Sequence, residues 1–359
     1  MKKKHILTSL LCIAVMAVAA STSSRQSSGT KLRHGNEASY DSIPKIALAY
    51  VVDAGKRPLD PFLFTHLVYA FVEFNDDCDG IVIKKPEKLQ AMLDLKQQNP
   101  DLKIIACIGG YKREGFSEMT RDKKKRKAFV KDIKHLVDSL GLDGIDLDWE
   151  FPTTENGGHT ATPKDDKNYV AFVKELRKAI GKDKWISYYS NNSGLYIDHK
   201  GMAPYVSYVH VSGYNLAVPK EGEHGRHQSP LYPSGKFGDW SISKSIERHI
   251  DLGVPKEKIL MGIPFFGRGK TPFPSYVECR LFDRNSDGMQ LKWDDEACVP
   301  YYADETGDLV LGFDDERSIA EKFDFIRANH LPGVFVWNYD GDYFDQRLGK
   351  TIQKLSKGK

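Results

Sequence analysis

Residues 143–152 read DGIDLDWEFP, which places carboxylates at Asp146, Asp148 and Glu150 between apolar Ile145, Leu147 and Trp149. Successive side chains of a β-strand point to opposite faces, so an extended segment gathers the three acids on one face. Carboxylates at that spacing repel one another, which raises the pKa of at least one, and coupled acids can share a proton. A glutamic acid held protonated near neutral pH is what general-acid chemistry requires. The same residues could instead form a buried charge network or hold magnesium. A lone Asp-x-Asp would favour that use; a glutamate two residues further on, at a strand end, favours acid–base work.

Such a row needs a scaffold that aims it at a cavity. From Pro44 onward, short apolar runs alternate with amphipathic segments. Strand-like runs cover 46–53, 65–72, 102–110, 144–150, 184–190, 206–214, 258–267 and 333–339. Several are apolar nearly throughout, as parallel strands covered on both faces are. Helical spacing appears over 123–141 and 167–181, each ending on glycine, and over 314–330, capped by Asp314 or Asp315 rather than Ser318. Eight strands alternating with helices across residues 44–359 predict an α/β fold, a (β/α)8 TIM barrel. The stretch 268–313 is too long for a simple connection and contains strand-like MQLKWDD and DLVLGFD. It reads as a small α+β insertion between strands 7 and 8. Catalytic groups of such barrels sit at the C-terminal ends of strands. Glu150 then closes the fourth strand at the mouth, with Asp148 and Asp146 one and two inward steps below.

The remaining features narrow the partners. A formal charge of +3 over 359 residues is too small to argue for nucleic acid. Seventeen Tyr, eighteen Phe and five Trp supply flat faces, most of them for core packing and some available to sugar rings. Residues 1–20 have a basic start, a short apolar run and small residues before a cut, the pattern of an export signal rather than a membrane span. Leu10 and Leu11 precede Cys12 where a lipoprotein signal prefers a small residue. Export to the periplasm or medium is therefore expected without a lipid anchor. Residues 21–43 are a polar linker with little to bury. Cys78, Cys107, Cys279 and Cys298 show no zinc spacing; Cys107 reads as a buried thiol, and Cys279 with Cys298 could bridge in an oxidising compartment. RDKKKRK (121–127) reads as the solvated face of an exterior helix. DRNSDGMQLKWD (283–294) imitates a calcium loop, but Asp294 stands where glutamate should close it and no helix pattern flanks it; a hairpin turn is the better reading. EGEHGRH (221–227) reads as a solvated loop near a cleft rim. No cofactor or metal is expected, and a monomer is.

DGIDLDWEFP resembles the DGxDxDWEYP signature of glycoside hydrolase family 18, the chitinases, with Phe151 at the usual Tyr. CIGG (107–110), with Cys107 for Ser, is similar to the family's third-strand SxGG and brings Gly110 into the cleft. GIPFFGRG (262–269) is similar to its seventh strand, and PYYADETGDLVLGFDDERSIAEKFDFIRANHLPGVFVWNYDGD to the end of its insertion and its eighth. The likeness runs from about Pro44 to near the C-terminus.

The resemblance implies an exported hydrolase of β-1,4-linked N-acetylglucosamine glycans such as chitin, working by a retaining, substrate-assisted route through an oxazolinium ion. It implies Glu150 as acid then base, Asp148 as partner of the acetamido N–H, Asp146 as its proton-sharing neighbour, and Tyr214 on the acetamido carbonyl. It implies Trp337 as the floor under the sugar. Tyr50 and Phe71 are candidates for either cleft or core, and Arg268 for a cleft donor or an ion-pair partner. The sixth strand departs from the family's Met-x-Tyr-Asp, reading Ser212-Gly213-Tyr214-Asn215; Asn215 can bond a sugar but carries no charge. The short insertion implies an open groove. An endo-β-N-acetylglucosaminidase cutting the chitobiose core of N-glycans is the alternative. A lectin without turnover is disfavoured because Glu150 is present.

Overall fold

The computed structural model describes residues 32–34, 44–216, 225–269, 274–281 and 288–358. The expected export signal and nearly all of the linker lie outside them.

Eight parallel strands form the centre: β1 (Ile46–Val52), β2 (His66–Phe74), β3 (Lys103–Gly109), β4 (Gly144–Asp148), β5 (Trp185–Ser190), β6 (Tyr208–Val211), β7 (Ile259–Pro264) and β8 (Gly333–Trp337). Each pairs with its sequence neighbour, and β1 also pairs with β8, Ile46 opposite Gly333 and Ala49 opposite Val336, so the sheet closes into a barrel. Strand parity divides the apolar side chains into two cores. Leu48, Tyr50, Val68, Ile105, Cys107, Leu260 and Phe335 fill the interior, while Ala47, Leu67, Ile104, Ile145 and Leu147 pack outward.

The main outer helices are α1 (Pro86–Asp94), α2 (Lys123–Leu140), α3 (Asp165–Ile180), α4 (Ile242–Asp251), α5 (Glu316–Asn329) and α6 (Arg347–Ser356). The Asp122 side chain accepts from the Lys124 and Lys125 N–H groups to start α2, and left-handed Gly141 ends it. The basic run at the start of α2 is largely exposed, the solvated face expected. Asp315 caps α5 and Ser318 returns the bond to the Asp315 backbone, a capping box.

Several strands end earlier than the sequence predicts, β7 at Pro264 and β8 at Trp337 among them, and two of these early ends shape the site. β4 stops at Asp148, not Glu150, because its neighbour β3 runs out: Gly109 pairs with Asp148, and the Gly110 N–H then turns onto the Asp148 carbonyl at 2.8 Å. β6 likewise stops at Val211, three residues before Tyr214. The β1–β2 connection contains no helix, and β5–β6 has only the turn His199–Met202. Against β1 lies α6, whose Gly349 approaches Leu63.

The insertion is α+β as expected: strands Gln290–Asp294, Val299–Ala303 and Leu309–Gly312 form an antiparallel sheet edged by Arg268–Gly269, beside the helix Tyr276–Leu281. Its small core joins Tyr301, Ala303 and Leu309 to Phe237, which comes from the β6–β7 connection. His227, expected on a solvated rim, is buried instead, its Nε2 2.9 Å from Asp294 Oδ2. Residues 221–224 lie outside the described set. Asp294 also accepts from Ser234 Oγ at 2.7 Å and from the N–H groups of Glu296 and Ala297. Against the cost of burial, the His227 bond and these donors hold its carboxyl well below the usual range. That carboxylate is thus engaged in the hairpin, as a turn reading requires; Asp283, Asn285 and Asp287 lie outside the described residues. All four described cysteines are free thiols, so Cys279 and Cys298 are not bridged, and Cys107 is buried as expected. Among the described residues no helix is long and apolar enough to cross a membrane, and no cluster of His, Cys, Asp and Glu could hold a metal.

Candidate active site

The acid column begins inside the barrel, beneath the cleft. Asp146 is fully buried, and its two oxygens accept from two hydroxyls: Tyr50 at 2.7 Å and Ser187 at 2.6 Å. Trp185 Nε1 donates to Ser187 at 2.7 Å, and His210 Nδ1 lies 2.7 Å from the Tyr50 hydroxyl. Burial lowers the His210 pKa, with Asp146 opposing, so the neutral ring is the consistent form. Its Nδ1–H then donates to Tyr50, whose own proton goes to Asp146; this assignment follows from the bonding pattern.

Asp148 stands one inward step higher, 7% exposed, and its Oδ1 has no hydrogen-bond partner among the described residues. Burial first, then the charges of Glu150 and Asp146, push its pKa well up. Glu150 lies two residues past the strand end, and burial raises it from 4.5 to about 7. Repulsion alone was the sequence expectation; for both acids, loss of solvent is the larger cause. Trp149 points the other way, stacking on Phe116 at 5.1 Å and meeting Tyr169 at 5.2 Å among the outer residues.

Backbone shape makes room for this column. Gly109 and Gly110 both have φ of +108°. A Cβ on Gly109 would sit 2.4 Å from the Asp148 carbonyl oxygen, and one on Gly110 3.1 Å from the Phe71 ring. Only glycine allows both the left-handed backbone and the close approach. The peptide bonds 70–71, 150–151 and 337–338 at the cleft are cis.

Above the acids opens a cleft of about 1050 Å³. Nine of the ten residues singled out from the sequence line it: Asp148, Glu150, Tyr214, Asn215, Trp337, Tyr50, Phe71, Gly110 and Arg268; Asp146 lies beneath. Tyr50 and Phe71 thus serve cleft and core together, with ring centres 5.5 and 5.9 Å from Trp337, forming an aromatic corner. Tyr214 packs edge-on to Phe266 at 5.7 Å. Asn215 has φ of +56°, and its buried Oδ1 has no partner among the described residues while the residue lines the cleft. Arg268 enters from the edge strand of the insertion sheet.

The sequence reading missed Tyr189, at the inner end of β5, and the Trp185, Ser187 and His210 layer under Asp146. Inward strand parity could have found these. It also missed rim residues on loops, such as Tyr111, 58% exposed, and Tyr343 beneath Arg57 at 4.0 Å. Nothing in the local pattern marks those. The arrangement as a whole can deliver a proton from Glu150 to a bond lying over Trp337, while Asp148 accepts a hydrogen bond beside it.

The profile of Glycosyl hydrolases family 18 matches residues 38–342. The Drosophila melanogaster protein called probable chitinase 2 is 29% identical, the match covering 83% of this chain and 71% of that one. Chitinase A1 of Niallia circulans is 26% identical over 73% of this chain, which spans 43% of its length. Among solved structures, a family 18 N-acetylglucosaminidase from Paenibacillus barengoltzii superposes with a TM-score of 0.77 at 27% identity, over 87% of this chain and 99% of that one.

Proposed function

Because the chain belongs to glycosyl hydrolases family 18 and is a glycosidase, we propose that it cleaves β-1,4 bonds of N-acetylglucosamine polymers, chitin or its oligomers, with retained configuration. The observation that carries this reading is the pairing of Glu150, raised to about 7 by burial, with Asp148, whose Oδ1 has no partner among the described residues, in one cleft. An acid that keeps its proton near neutrality can give it up, and a carboxylate with a spare lone pair can take an N–H.

The sugar that precedes the cut bond lies over Trp337. Its acetamido carbonyl oxygen attacks its own anomeric carbon, and the bond to the leaving oxygen breaks as Glu150 donates its proton there. Asp148 accepts from the acetamido N–H and balances the positive charge of the oxazolinium ion. Tyr214 donates to the acetamido carbonyl oxygen and turns it toward the carbon. Asp146, held by Tyr50 and Ser187, shares a proton with Asp148. Glu150, now a carboxylate, takes a proton from water, which opens the oxazolinium ring on the original face. Proximity of the substrate's own nucleophile makes a second attacking carboxylate unnecessary. Asn215 and Arg268 hold hydroxyls of neighbouring sugars. The basic and apolar start of the chain supports export of the enzyme to periplasm or medium, and it works as a monomer without cofactor.

Chitin oligomers and a high-mannose glycoprotein, each incubated with the enzyme, separate the substrates by product mass. Shortened chitin oligomers are expected; release of the intact N-glycan alone would move the activity to the chitobiose core. Early product should be the β-anomer by NMR, and an α-anomer would exclude the acetamido route.

A further inference from the structure

A second groove, of about 480 Å³, lies on the outer wall of the barrel between the β5–β6 connection and α4. Ser193 and Leu195 form one side; Trp240, just ahead of the Ser241 cap of α4, heads the other. Trp240 is 38% exposed and Leu195 45%. Down the helix from the tryptophan run Lys244, Glu247, Arg248 and Asp251, at the spacing that puts residues on one helix face. That strip is roughly 10 Å long at 1.5 Å per residue.

Three observations say what fits there. The indole offers a flat apolar face on which a pyranose ring can lie. The two cations and two anions beside it cancel, so the groove suits a neutral polar ligand over an ion. No side chain of these four is engaged in a hydrogen bond or ion pair within the described protein. Their donors and acceptors are open to hydroxyl and amide groups of a guest. The loop that forms one side of the groove also makes a hydrogen bond to a cleft residue. The connection that carries Ser193 and Leu195 carries Asn192, whose Nδ2 lies 3.4 Å from the backbone oxygen of the cleft residue Asn215.

We propose that this groove is a second glycan site, which holds a neutral β-linked chain of the kind cut in the cleft and keeps the enzyme on insoluble substrate. The choice of glycan rests on the function proposed above.

The test compares wild type, Trp240→Ala and Trp240→Phe in two assays. Adsorption to insoluble chitin powder is measured in the cold, and turnover is measured on a soluble fluorogenic glycoside of diacetylchitobiose. Trp240→Ala should adsorb ~10-fold more weakly, as loss of one stacking face implies, and Trp240→Phe should keep most of the binding. Soluble turnover should match wild type within about two-fold for both, since the site lies outside the cleft. Equal adsorption of all three proteins would overturn the proposal, as would a wild type that does not adsorb. A parallel loss of soluble turnover would overturn it too, by placing Trp240 in the service of the cleft or the fold. A change in molecular mass on sedimentation of Trp240→Ala would instead assign the groove to contact between protein copies. Absence of soluble turnover in wild type would sink the catalytic reading alone, and the adsorption comparison would remain readable.

Discussion

At the level of single residues, the mechanism proposed above needs one acid kept protonated and another well supplied with donors. Burial raises Glu150 from 4.5 to about 7, so the folded state favours its neutral form. The corresponding stability is fully present below pH 4.5 and is lost as pH rises through about 7. Glu150→Gln, neutral at every pH, should therefore match wild type in melts near pH 4 and exceed it near pH 8 by about 3 kcal/mol. Equal melting temperatures of the two proteins at high pH would contradict a buried, raised carboxyl. Turnover by the variant should fall ~1,000-fold or more while oligosaccharide binding persists, because only the transferable proton is gone. For wild type, kcat/KM should fall tenfold per pH unit above about 7 as the free enzyme loses the acid. Tyr50→Phe probes the donors below. It strips a hydroxyl from Asp146 and leaves two buried polar atoms short of a partner, at a cost of about 1–3 kcal/mol. Thermal melts should report that cost, and kinetics on a soluble chitobioside should show kcat reduced with KM little changed; an unaltered kcat would mean that Asp146 needs no such support.

Secondary-structure elements set how close these residues can stand. Gly109→Ala would force a Cβ to within 2.4 Å of the Asp148 carbonyl at φ of +108°. The clash is with backbone, so β3 and β4 must separate; melting temperature and turnover should fall together. Asp315→Ala makes the contrast, because it removes the cap of α5, which does not line the cleft. It should cost about 1 kcal/mol with turnover retained. Much of this level was legible in the sequence. All eight strands were, because the inward and outward residues of Ile46–Val52 or Gly144–Asp148 are strongly sorted by polarity or size. The ends of β4 and β6 were not; β4 stops where β3 stops, and Gly109 fixes that from another segment. The strand Val299–Ala303 escaped notice because Pro300 reads as a break. Tyr214 and Trp337 were found through the family signature, whereas Tyr111 and Tyr343 sit on loops without periodicity.

Across the whole molecule, the insertion is anchored by a buried charge. Lys322 on α5 and Asp314 are both fully buried and bonded to each other; Ser229, from the β6–β7 connection, donates to Asp314 Oδ2 at 2.5 Å, and Ser318 donates to Oδ1 at 2.6 Å. One carboxylate thus ties the end of the insertion, a barrel helix and a distant loop. Lys322→Met would strand Asp314 without its cation and should cost about 3–5 kcal/mol. Adding Asp314→Leu should recover a large part of that loss, and neither effect should respond to salt, because ions screen buried pairs weakly. Chemical denaturation in low and high salt would check both points; full recovery by salt would place the pair at the surface. None of this was visible in the linear sequence, where Ser229 and Asp314 are 85 residues apart.

Closure of the barrel by its first and last strands carries a cost during synthesis. Ile46 meets Gly333 only after nearly the whole chain has left the ribosome. Until then the outer edge of β1 presents a row of open backbone groups on an apolar ribbon, a template for pairing with another nascent chain. Chaperone demand should therefore peak late in translation, and fragments that stop short of β8 should aggregate even though they contain every carboxylate of the site.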